Sequence, residues 1–257
     1  KRQPFTRLVF SPEFKQARQW LEFEFRKAGL DCHVDKGGNL IGLRQAVDDA
    51  SEQKKVVIGS HIDTVYAGGQ FDGVAGIVAA LEVIHFLNKQ NIDLPFSIEV
   101  VDFLGEELNV WGLSCLGSRH MAGLLTDEML SRTDQDGRQL GLEIESIGGK
   151  RQPPRTPRKD ADTIIACLEL HIEQADRLET NQTDIGIVTD IPGISRYAIK
   201  VIGRAGHSGT TRMPDRQDAL VAASEVITTA QDTGIAIAEQ DNNCLLYTSD
   251  AADERLG

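Results

Sequence analysis

The stretch Lys55-Val-Val-Ile-Gly-Ser60 decides the fold class, because a short apolar run rich in β-branched residues predicts a buried strand. A glycine-rich loop follows this strand, and residues 73–87 then carry apolar side chains at helical spacing. Residues 96–103 predict another strand, and residues 112–125 predict a loop that runs into a helix. Strands and helices that alternate in this way predict an α/β sandwich.

On the N-terminal side of this stretch, the sequence predicts one helix and two short strands. Ser11-Pro12-Glu13 is typical of a helix start, with a serine cap, proline at the first helical position and an acidic first turn. Residues 32–34 and 40–43 predict strands on either side of a turn. The helix is expected to end at Gly29 and to bury Phe14, Ala17, Trp20, Leu21 and Phe25.

On the C-terminal side, residues 148–162 are rich in glycine, proline and basic residues and predict a loop. Residues 166–171 then predict a strand. A second domain is expected to begin near Ile194, with a strand over residues 197–202 and a helix over residues 215–232. The inward side of that helix is predicted to carry Ala219, Ala222, Ala223, Val226 and Ile227.

We therefore predict three segments along the chain. Residues 1–193 form an α/β domain that carries the functional site, residues 194–243 form part of a second domain, and residues 244–257 are a non-native tail. The tail matches the in-frame translation of a common transposase sequencing adapter, so we exclude it from the fold. The natural protein is then expected to continue beyond Asn243. The alternative is a genuine acidic C-terminal tail.

The composition limits the classes of partner. The chain has 257 residues, of which 40% are hydrophobic and 26% charged, as in a soluble globular protein. Its formal net charge of −12 argues against nucleic acid or an anionic membrane as a partner. No apolar run approaches the roughly 20 residues of a membrane span. Four cysteines without a C-x-x-C pair indicate reduced thiols, and we expect a cytoplasmic protein.

Ligand-type side chains follow the predicted strand at residues 55–60. His61 comes directly after it, where α/β sheets place ligands, and Asp63 is positioned to accept a hydrogen bond from the other ring nitrogen. Asp72 lies among glycines just before the predicted helix, so it can approach a metal from a tight turn. The alternatives are an ordinary polar strand end and an aspartate that caps the helix.

Two further signals of the same kind follow later strands. Glu106 and Glu107 are adjacent carboxylates at a strand end, where one can bind a metal while the other acts as a base on water. His171 follows the apolar run at residues 166–170. A solvated acidic turn and a core histidine are the structural alternatives. Imidazole and carboxylate ligands that coincide at four strand ends suit Zn²⁺, Mn²⁺ or a similar divalent ion.

Six motifs in order carry a resemblance to a known family. They are G-S-H-x-D-T-V (59–65), G-G-x-F-D-G-x-x-G (68–76), G-E-E (105–107), G-L-S-C-L-G-S-R (112–119), E-L-H-I-E-Q (169–174) and G-H-S-G-T-T-x-M (206–213). The chain resembles the hydantoinase/carbamoylase amidases from about residue 5 to about residue 231. That family includes N-carbamoyl-L-amino-acid hydrolases and allantoate amidohydrolases, and it is related to the aminoacylase and carboxypeptidase G metallopeptidases.

The resemblance implies a fold and an activity. The fold is a zinc-peptidase-like α/β catalytic domain with an inserted, smaller α+β lid domain of ferredoxin-like type, here truncated. The activity is metal-dependent hydrolysis of the C–N bond of N-carbamoyl-L-amino acids or related ureido acids such as allantoate, with release of ammonia. The implied cofactors are two divalent ions per subunit, zinc or manganese, with cobalt or nickel as alternatives. The implied partners are a small ureido acid and a second subunit that binds through the lid.

The resemblance also implies the role of each residue in the metal site. His61 and His171 bind one metal, Asp72 bridges both metals, Glu107 binds the second metal, and Glu106 is the general base.

Outside the ligand set, the resemblance implies that Asp63 orients His61. His207 stabilises the oxyanion from the lid, usually across a dimer interface, and Gln174 and Arg196 contact the substrate. Ala175 and Arg212 depart from the family pattern, where glycine and proline are expected. The family's remaining second-metal histidine and its anchor for the substrate carboxylate belong to a segment that this chain does not include.

Two alternatives to this function stay open. One is an N-acyl amino acid hydrolase or dipeptidase on the same scaffold, although His171 in E-L-H-I-E-Q favours the carbamoylase branch. The other is a non-catalytic binding protein that keeps the fold, although retention of Glu106 argues against it.

Overall fold

A five-stranded mixed sheet organises the first part of the molecule. The computed structural model describes residues 5–47, 54–191 and 197–241. The strands are β1 (Asp31–Val34), β2 (Leu40–Arg44), β3 (Lys55–Ser60), β4 (Ser97–Asp102) and β5 (Ile164–Leu168). The helices are α1 (Pro12–Lys27), α2 (Val74–Lys89), α3 (Leu116–Met121), α4 (Asp127–Ser131), α5 (Leu140–Ser146), α6 (Arg177–Thr180) and α7 (Ala219–Asp241), with 3₁₀ turns at Ala161–Thr163 and Met213–Asp215.

The strand order in the sheet is β1-β2-β4-β3-β5. β1 pairs with β2, and β2 with β4, in antiparallel fashion, whereas β3 lies parallel to both β4 and β5. In the register of the parallel strands, Ser60 lies opposite Asp102 and Ile58 lies opposite Leu168. The carboxyl ends of β3, β4 and β5 therefore meet at one edge of the sheet, and the predicted α/β class is confirmed.

Helices α1 and α2 bury their apolar sides on one face of this sheet. The main core cluster combines Phe14, Leu21, Phe25, Ile77, Ile84 and Val100 with further residues of the loops. A smaller cluster of Ile41, Val57 and Val101 lies on the opposite face. Alternate residues of β2 and β4 thus enter different clusters, as the two-residue period of a strand requires.

Helix α1 confirms the predicted start and corrects the predicted face. The Ser11 hydroxyl accepts a hydrogen bond from the Phe14 backbone N–H at 3.1 Å, and Gly29 follows the helix at φ +82°. Trp20, predicted to be buried, is 52% exposed, and Arg18 is buried instead. Arg18 turns inward because its guanidinium donates to the Gly38 carbonyl at 2.5 Å and its Nε lies 3.4 Å from an oxygen of Asp102.

The predicted strands of the first part are confirmed, with several ends shifted by one to three residues. β3 has the predicted bounds, whereas β5 ends at Leu168 rather than at residue 171. Helix α7 begins at Ala219 rather than at residue 215, because residues 213–215 form a 3₁₀ turn and Asp218 caps the helix. The Asp218 carboxylate accepts a hydrogen bond from the Leu220 backbone N–H at 2.9 Å.

The chain divides into two compact units, Lys1–Asp176 and Arg177–Gly257. The predicted domain boundary at Ile194 lies outside the described residues, as does the predicted tail at residues 244–257. The domain bounds therefore stay a prediction. Among the helices of the described ranges, none combines the length and the apolar character that a membrane span requires.

The strand predicted over residues 197–202 in the second unit is wrong, because these residues do not adopt strand structure. Tyr197 and Ile202 are more than four-fifths exposed. In the described part of this unit, the ladder pairing is limited to one isolated bridge, between Arg204 and Gln217. A strand needs a neighbour for its backbone hydrogen bonds, and β propensity alone does not supply one. The predicted inward face of α7 is also wrong at Ala222, Val226 and Ile227, which are exposed.

A buried asparagine fixes the loop after β4, which carries the predicted carboxylates. The Asn39 side chain is fully buried and accepts a hydrogen bond from the Leu104 backbone N–H at 2.9 Å. It donates to the Gly117 carbonyl at 3.2 Å and to the Asp35 carboxylate at 2.8 Å. One side chain therefore joins the β1–β2 turn, the loop after β4 and helix α3.

We expect Asn39→Ala to lower the free energy of unfolding by roughly 1–3 kcal/mol, because it leaves the buried Leu104 N–H without an acceptor. Urea unfolding followed by circular dichroism measures this loss. Asn88→Ala is the matched control, because Asn88 is exposed, donates a hydrogen bond to the Ala28 carbonyl at 2.8 Å and accepts one from Arg44 Nε at 3.3 Å. Equal losses for the two variants would contradict this role of Asn39.

Candidate metal centre

Three loops at one edge of the sheet bring the predicted ligands together. His61 directly follows β3, Glu106 and Glu107 lie in the loop after β4, and His171 lies three residues beyond β5. Because the three strands are parallel neighbours, their following loops share the same edge. Asp72 reaches the same place from the glycine-rich loop before α2.

His61, Asp72 and His171 form a compact group. One candidate ligand atom from each residue lies within 4.8 Å of the others. The two imidazole rings stack with centroids 5.8 Å apart, and His171 Nε2 lies 3.0 Å from Asp72 Oδ1. His61 and Asp72 are buried, whereas His171 lies at the exposed side of the group. These three residues were all predicted as ligands, and the fold places them together.

Backbone contacts fix the tautomer of both histidines. His61 Nδ1 lies 2.9 Å from the carbonyl oxygen of Asp63, and His171 Nδ1 lies 2.9 Å from that of Ile172. A carbonyl oxygen only accepts hydrogen bonds, so each Nδ1 carries the proton. Each neutral ring therefore keeps the lone pair on Nε2, the arrangement of a histidine that binds a metal.

The oxygen of Asp72 that faces His171 gives the strongest test of a cation at this site. Asp72 Oδ1 is buried and accepts no hydrogen bond from the described residues. In the neutral tautomer, it faces the lone pair of His171 Nε2 at 3.0 Å. Two acceptors at this distance repel each other unless a positive charge lies between them. Two imidazole nitrogens and a carboxylate oxygen are ligands that Zn²⁺ and Mn²⁺ accept, so the group fits a divalent ion.

Asp63 contacts His61 through a different group from the one predicted. The hydrogen bond to His61 comes from the Asp63 backbone carbonyl, whereas the nearest carboxylate oxygen lies 3.8 Å from the ring nitrogen. The two carboxylate oxygens instead accept hydrogen bonds from the backbone N–H groups of Glu106 and Glu107, at 3.2 and 3.1 Å. Asp63 therefore orients His61 with its backbone and the two glutamates with its side chain.

Burial and mutual repulsion shift the protonation of the acidic groups. Burial raises the pKa of Asp63 to about 7, although the neighbouring His61 opposes this shift. Burial also raises the pKa of Glu107, and the negative charge of Asp72 adds to the effect. Burial disfavours the charged form of His61, but Asp63 and Glu106 outweigh it and raise the pKa of the ring. A divalent cation would relieve all of these shifts, because it favours the ionised carboxylates.

The two glutamates take different positions around the group. Glu106 is partly exposed, and its Oε2 lies 3.7 Å from His61 Nε2. Its other oxygen lies 3.6 Å from the thiol of Cys115. Glu107 is not one of the three clustered residues, but its carboxyl interacts electrostatically with Asp72 and His171. Its predicted part in a second metal site stays a prediction.

The three residues predicted to contact the substrate lie in different parts of the chain. Gln174 contacts the metal group, because its amide donates a hydrogen bond to Asp72 Oδ2 at 2.9 Å. His207 lies in the second unit, is exposed, and accepts a hydrogen bond from the Gly209 backbone N–H at 3.1 Å. Arg196 lies outside the described residues. The substrate-side roles of these three residues stay predictions.

Comparison with known proteins places the chain in a family. The family model described as Peptidase family M20/M25/M40 matches residues 52–253. The chain belongs to this family. The match includes all of the predicted metal ligands, and the resemblance recognised in the sequence is confirmed by the relatives below.

The relatives of this M20 chain include an N-carbamoyl-L-amino-acid amidohydrolase of a Pseudomonas species, 38% identical over 86% of this chain and 53% of the relative. An allantoate amidohydrolase of Bacillus subtilis is 34% identical over 86% of this chain and 53% of the relative. The crystal structure of a hydantoinase/carbamoylase family amidase from Burkholderia ambifaria superimposes with a TM-score of 0.71 at 33% identity, over 91% of this chain and 56% of that chain. The chain thus spans about half the length of the relatives it matches.

Sequence reasoning missed a buried aspartate beneath the M20 site. Asp102 is fully buried at the end of β4, accepts a hydrogen bond from the Ile62 backbone N–H at 3.1 Å and pairs with Arg18. It therefore fixes the segment that presents His61. A charged residue directly after the apolar pair Val100-Val101, at the end of β4, was the available signal. Arg18 lies at helical spacing from Phe14, Leu21 and Phe25, but its charge argued against burial.

A glycine beside His61 generates a first prediction for metal binding. Gly73 has φ +63°, and a Cβ atom there would lie 2.4 Å from the His61 ring. We expect Gly73→Ala to weaken binding of Zn²⁺ by roughly tenfold or more, because the imidazole has to move. Isothermal titration calorimetry measures the affinity.

Gly69→Ala is the matched control for this variant. Gly69 lies in the same loop, and its nearest contact from an added Cβ is an ordinary 3.4 Å. Its φ is not in the left-handed region. Equal affinities for Gly73→Ala and Gly69→Ala would contradict the proposed packing of His61 against the loop.

The contact of Gln174 with Asp72 generates a second prediction. Removal of the amide in Gln174→Leu leaves Asp72 Oδ2 without its donor and lets the carboxylate turn. We expect a 10–100-fold loss of affinity for Zn²⁺, the usual scale for a hydrogen bond that orients a ligand. The same calorimetric titration checks this, with Gln90→Leu as a control on an exposed site. An unchanged affinity would leave Gln174 with a role in substrate contact alone.

Proposed function

We propose that the protein to which this chain belongs hydrolyses the C–N bond of an N-carbamoyl-L-amino acid or a related ureido acid such as allantoate, and releases ammonia. The observation that carries the proposal is the group of His61, Asp72 and His171 with the Glu106 carboxylate beside it. The relatives named above support the choice of substrate class, because their names specify carbamoyl amino acids and allantoate.

We propose two divalent ions per subunit, zinc or manganese, with cobalt or nickel as alternatives. His61, Asp72 and His171 would hold the first ion, and Asp72 with Glu107 would contribute to the second. An ion held there supplies Lewis acidity, which polarises the substrate carbonyl and lowers the pKa of water. The buried Asp72 oxygen without a hydrogen-bond donor supports the first of these sites.

Glu106 supplies the proton transfers of the proposed reaction. Its carboxylate is partly exposed and faces His61 Nε2 at 3.7 Å, so it borders the same space as the ligand atoms. It takes a proton from the attacking water and then protonates the leaving nitrogen. Water adds to the ureido carbonyl carbon, the C–N bond breaks, and an N-carbamoyl amino acid yields the amino acid, carbon dioxide and ammonia. Asp63 keeps Glu106 in place through the backbone contact described above.

The lid and the partners complete the proposal. We propose that residues 194–243 belong to a lid domain inserted into the catalytic domain, which residues 1–193 begin. His207 is assigned to stabilisation of the oxyanion, and Gln174 and Arg196 are assigned to substrate contact. The small ureido acid is the proposed partner, together with a second subunit that binds through the lid. We propose a cytoplasmic location, without nucleic acid or membrane partners.

An N-acyl amino acid hydrolase or a dipeptidase remains the second candidate, because the M20/M25/M40 family description is that of a peptidase family. The position of His171 favours the carbamoylase reading over this one. Parallel assays on an N-carbamoyl, an N-acetyl and a dipeptide derivative of one amino acid separate the two. A kcat/KM highest for the N-acetyl or dipeptide derivative would replace the proposed substrate class.

We expect Glu106→Gln and Glu107→Gln to fail in different ways, in a protein that spans the full length of the relatives. Glu106→Gln retains metal and loses roughly 100-fold or more in kcat, the scale for a general base. Glu107→Gln lowers metal content, because it removes a proposed ligand. Ammonia release and metal analysis by mass spectrometry are the two measurements. Near-normal turnover by Glu106→Gln would remove it from the mechanism, and turnover by neither wild type nor variant would favour a binding protein.

A further inference from the structure

A groove on the first unit contains cations that form no ion pair with the carboxylates of the described residues. The groove has a volume of about 710 Å³ and runs between the β1–β2 turn, the end of α3 and the proline-rich loop at residues 150–160. Five lysine and arginine residues line it. Four of these form no ion pair within the described part of the chain. We call them the groove cations: Lys36, Lys150, Arg155 and Lys159. All four are exposed.

Two carboxylates, those of Asp35 and Asp160, line the groove, and they offset only part of the charge of its five basic residues. Asp35 accepts hydrogen bonds from the backbone and the side chain of Asn39. Asp160 binds Arg158, which also forms two hydrogen bonds to the buried Glu99 at 2.6 and 2.9 Å. The groove cations therefore remain in excess, in a chain whose formal net charge is −12.

The backbone holds the groove cations in place. The Lys150 backbone N–H donates a hydrogen bond to the Lys36 carbonyl at 2.8 Å, so these two lysines start from adjacent positions. Arg155 and Lys159 lie on either side of Pro157 in the loop. Arg158 fixes this part of the loop to the sheet, because it forms an ion pair with Glu99 of β4. The apolar part of the lining includes Met121 and the prolines of this loop.

One end of the groove is remote from the candidate metal centre. Asp160, at one end of the groove, binds Lys55 at the start of β3 at 2.7 Å. His61 lies just beyond the other end of the same six-residue strand. At about 3.3 Å per residue the strand is roughly 16 Å long, so this end of the groove is a strand length away from the centre.

We propose that this groove binds a small phosphate-bearing molecule with an organic part. A phosphate group offers up to two negative charges and three acceptor oxygens, which suits several converging donors. Met121 and the prolines of the loop at residues 150–160 provide an apolar surface for the organic part. The volume lies within the usual 300–1,000 Å³ of small-molecule sites. This proposal does not depend on the proposed hydrolysis.

The charge of the whole protein selects a small ligand over a polymer. The Debye length at physiological ionic strength is about 8 Å, so a small anion in the groove is attracted mainly by the nearby cations. An extended nucleic acid would also meet the acidic remainder of the surface, which repels it. The local excess of positive charge therefore favours a molecule that fits inside the groove.

The test is a titration of the chain, stripped of metal, with phenyl phosphate and with inorganic phosphate at fixed ionic strength. Calorimetry is expected to show one saturable site that binds phenyl phosphate more tightly, because its ring covers the apolar part of the lining. Lys36→Gln/Lys150→Gln should weaken binding roughly tenfold, the effect of two lost charge contacts. Removal of metal excludes a phosphate bound to an ion at His61 and His171.

Lys27→Gln/Lys89→Gln is the matched control, because it removes two exposed lysines of α1 and α2 and changes the net charge equally. Retained binding in this control supports the site. An equal loss in both double variants would show an effect of net charge only, and an absence of saturable binding to the wild type would also overturn the proposal. If the groove double variant fails to fold by circular dichroism, Arg155→Gln replaces it, with the same expected direction.

Discussion

The parallel pairing of β3 with β4 and β5 is the constraint on which the rest of the site depends. Parallel neighbours end at the same edge, so one register brings together the loops after Ser60, Asp102 and Leu168. A shift by one residue would turn each of these strands over and move the ligand-bearing loops apart. The antiparallel β1–β2 hairpin adds Asn39, which fixes the loop after β4 from the side. The geometry of the candidate metal centre is thus a consequence of sheet topology.

The loops that meet at this edge of the sheet also bring several carboxylates together, and this explains why the edge suits a bound cation. Asp102 is compensated by Arg18 from helix α1, whereas in the described part of the chain the carboxylates of the next layer form no salt bridge to a lysine or arginine. Burial then raises the pKa of Asp63 and of Glu107. Nδ1 of both histidines donates a hydrogen bond to a backbone carbonyl, so the lone pairs of Nε2 are available to an ion. A bound divalent ion resolves the repulsion that the fold creates.

The sequence predicted those features that depend on local pattern. The bounds of β3 and the position of His61 after it follow from a run of β-branched residues and the polar residue that ends it. The burial of Arg18 in place of Trp20 could not be predicted, because it depends on Asp102 across the sheet. The Asp63 carboxylate also escaped prediction, since it contacts the backbone of a loop more than 40 residues away. The strand expected at residues 197–202 did not form, because β propensity requires a partner strand.

X-ray absorption spectroscopy of this chain loaded with Zn²⁺ tests the central claim most directly. Our account predicts two imidazole nitrogens and at least one carboxylate oxygen at about 2.0–2.2 Å from the ion. It predicts that His61→Ala and His171→Ala each remove one imidazole from the spectrum, whereas His85→Ala, on an exposed turn of α2, leaves it unchanged. A zinc ion with fewer than two imidazole ligands, or a spectrum that neither of the first two variants alters, would contradict the assignment of the metal centre.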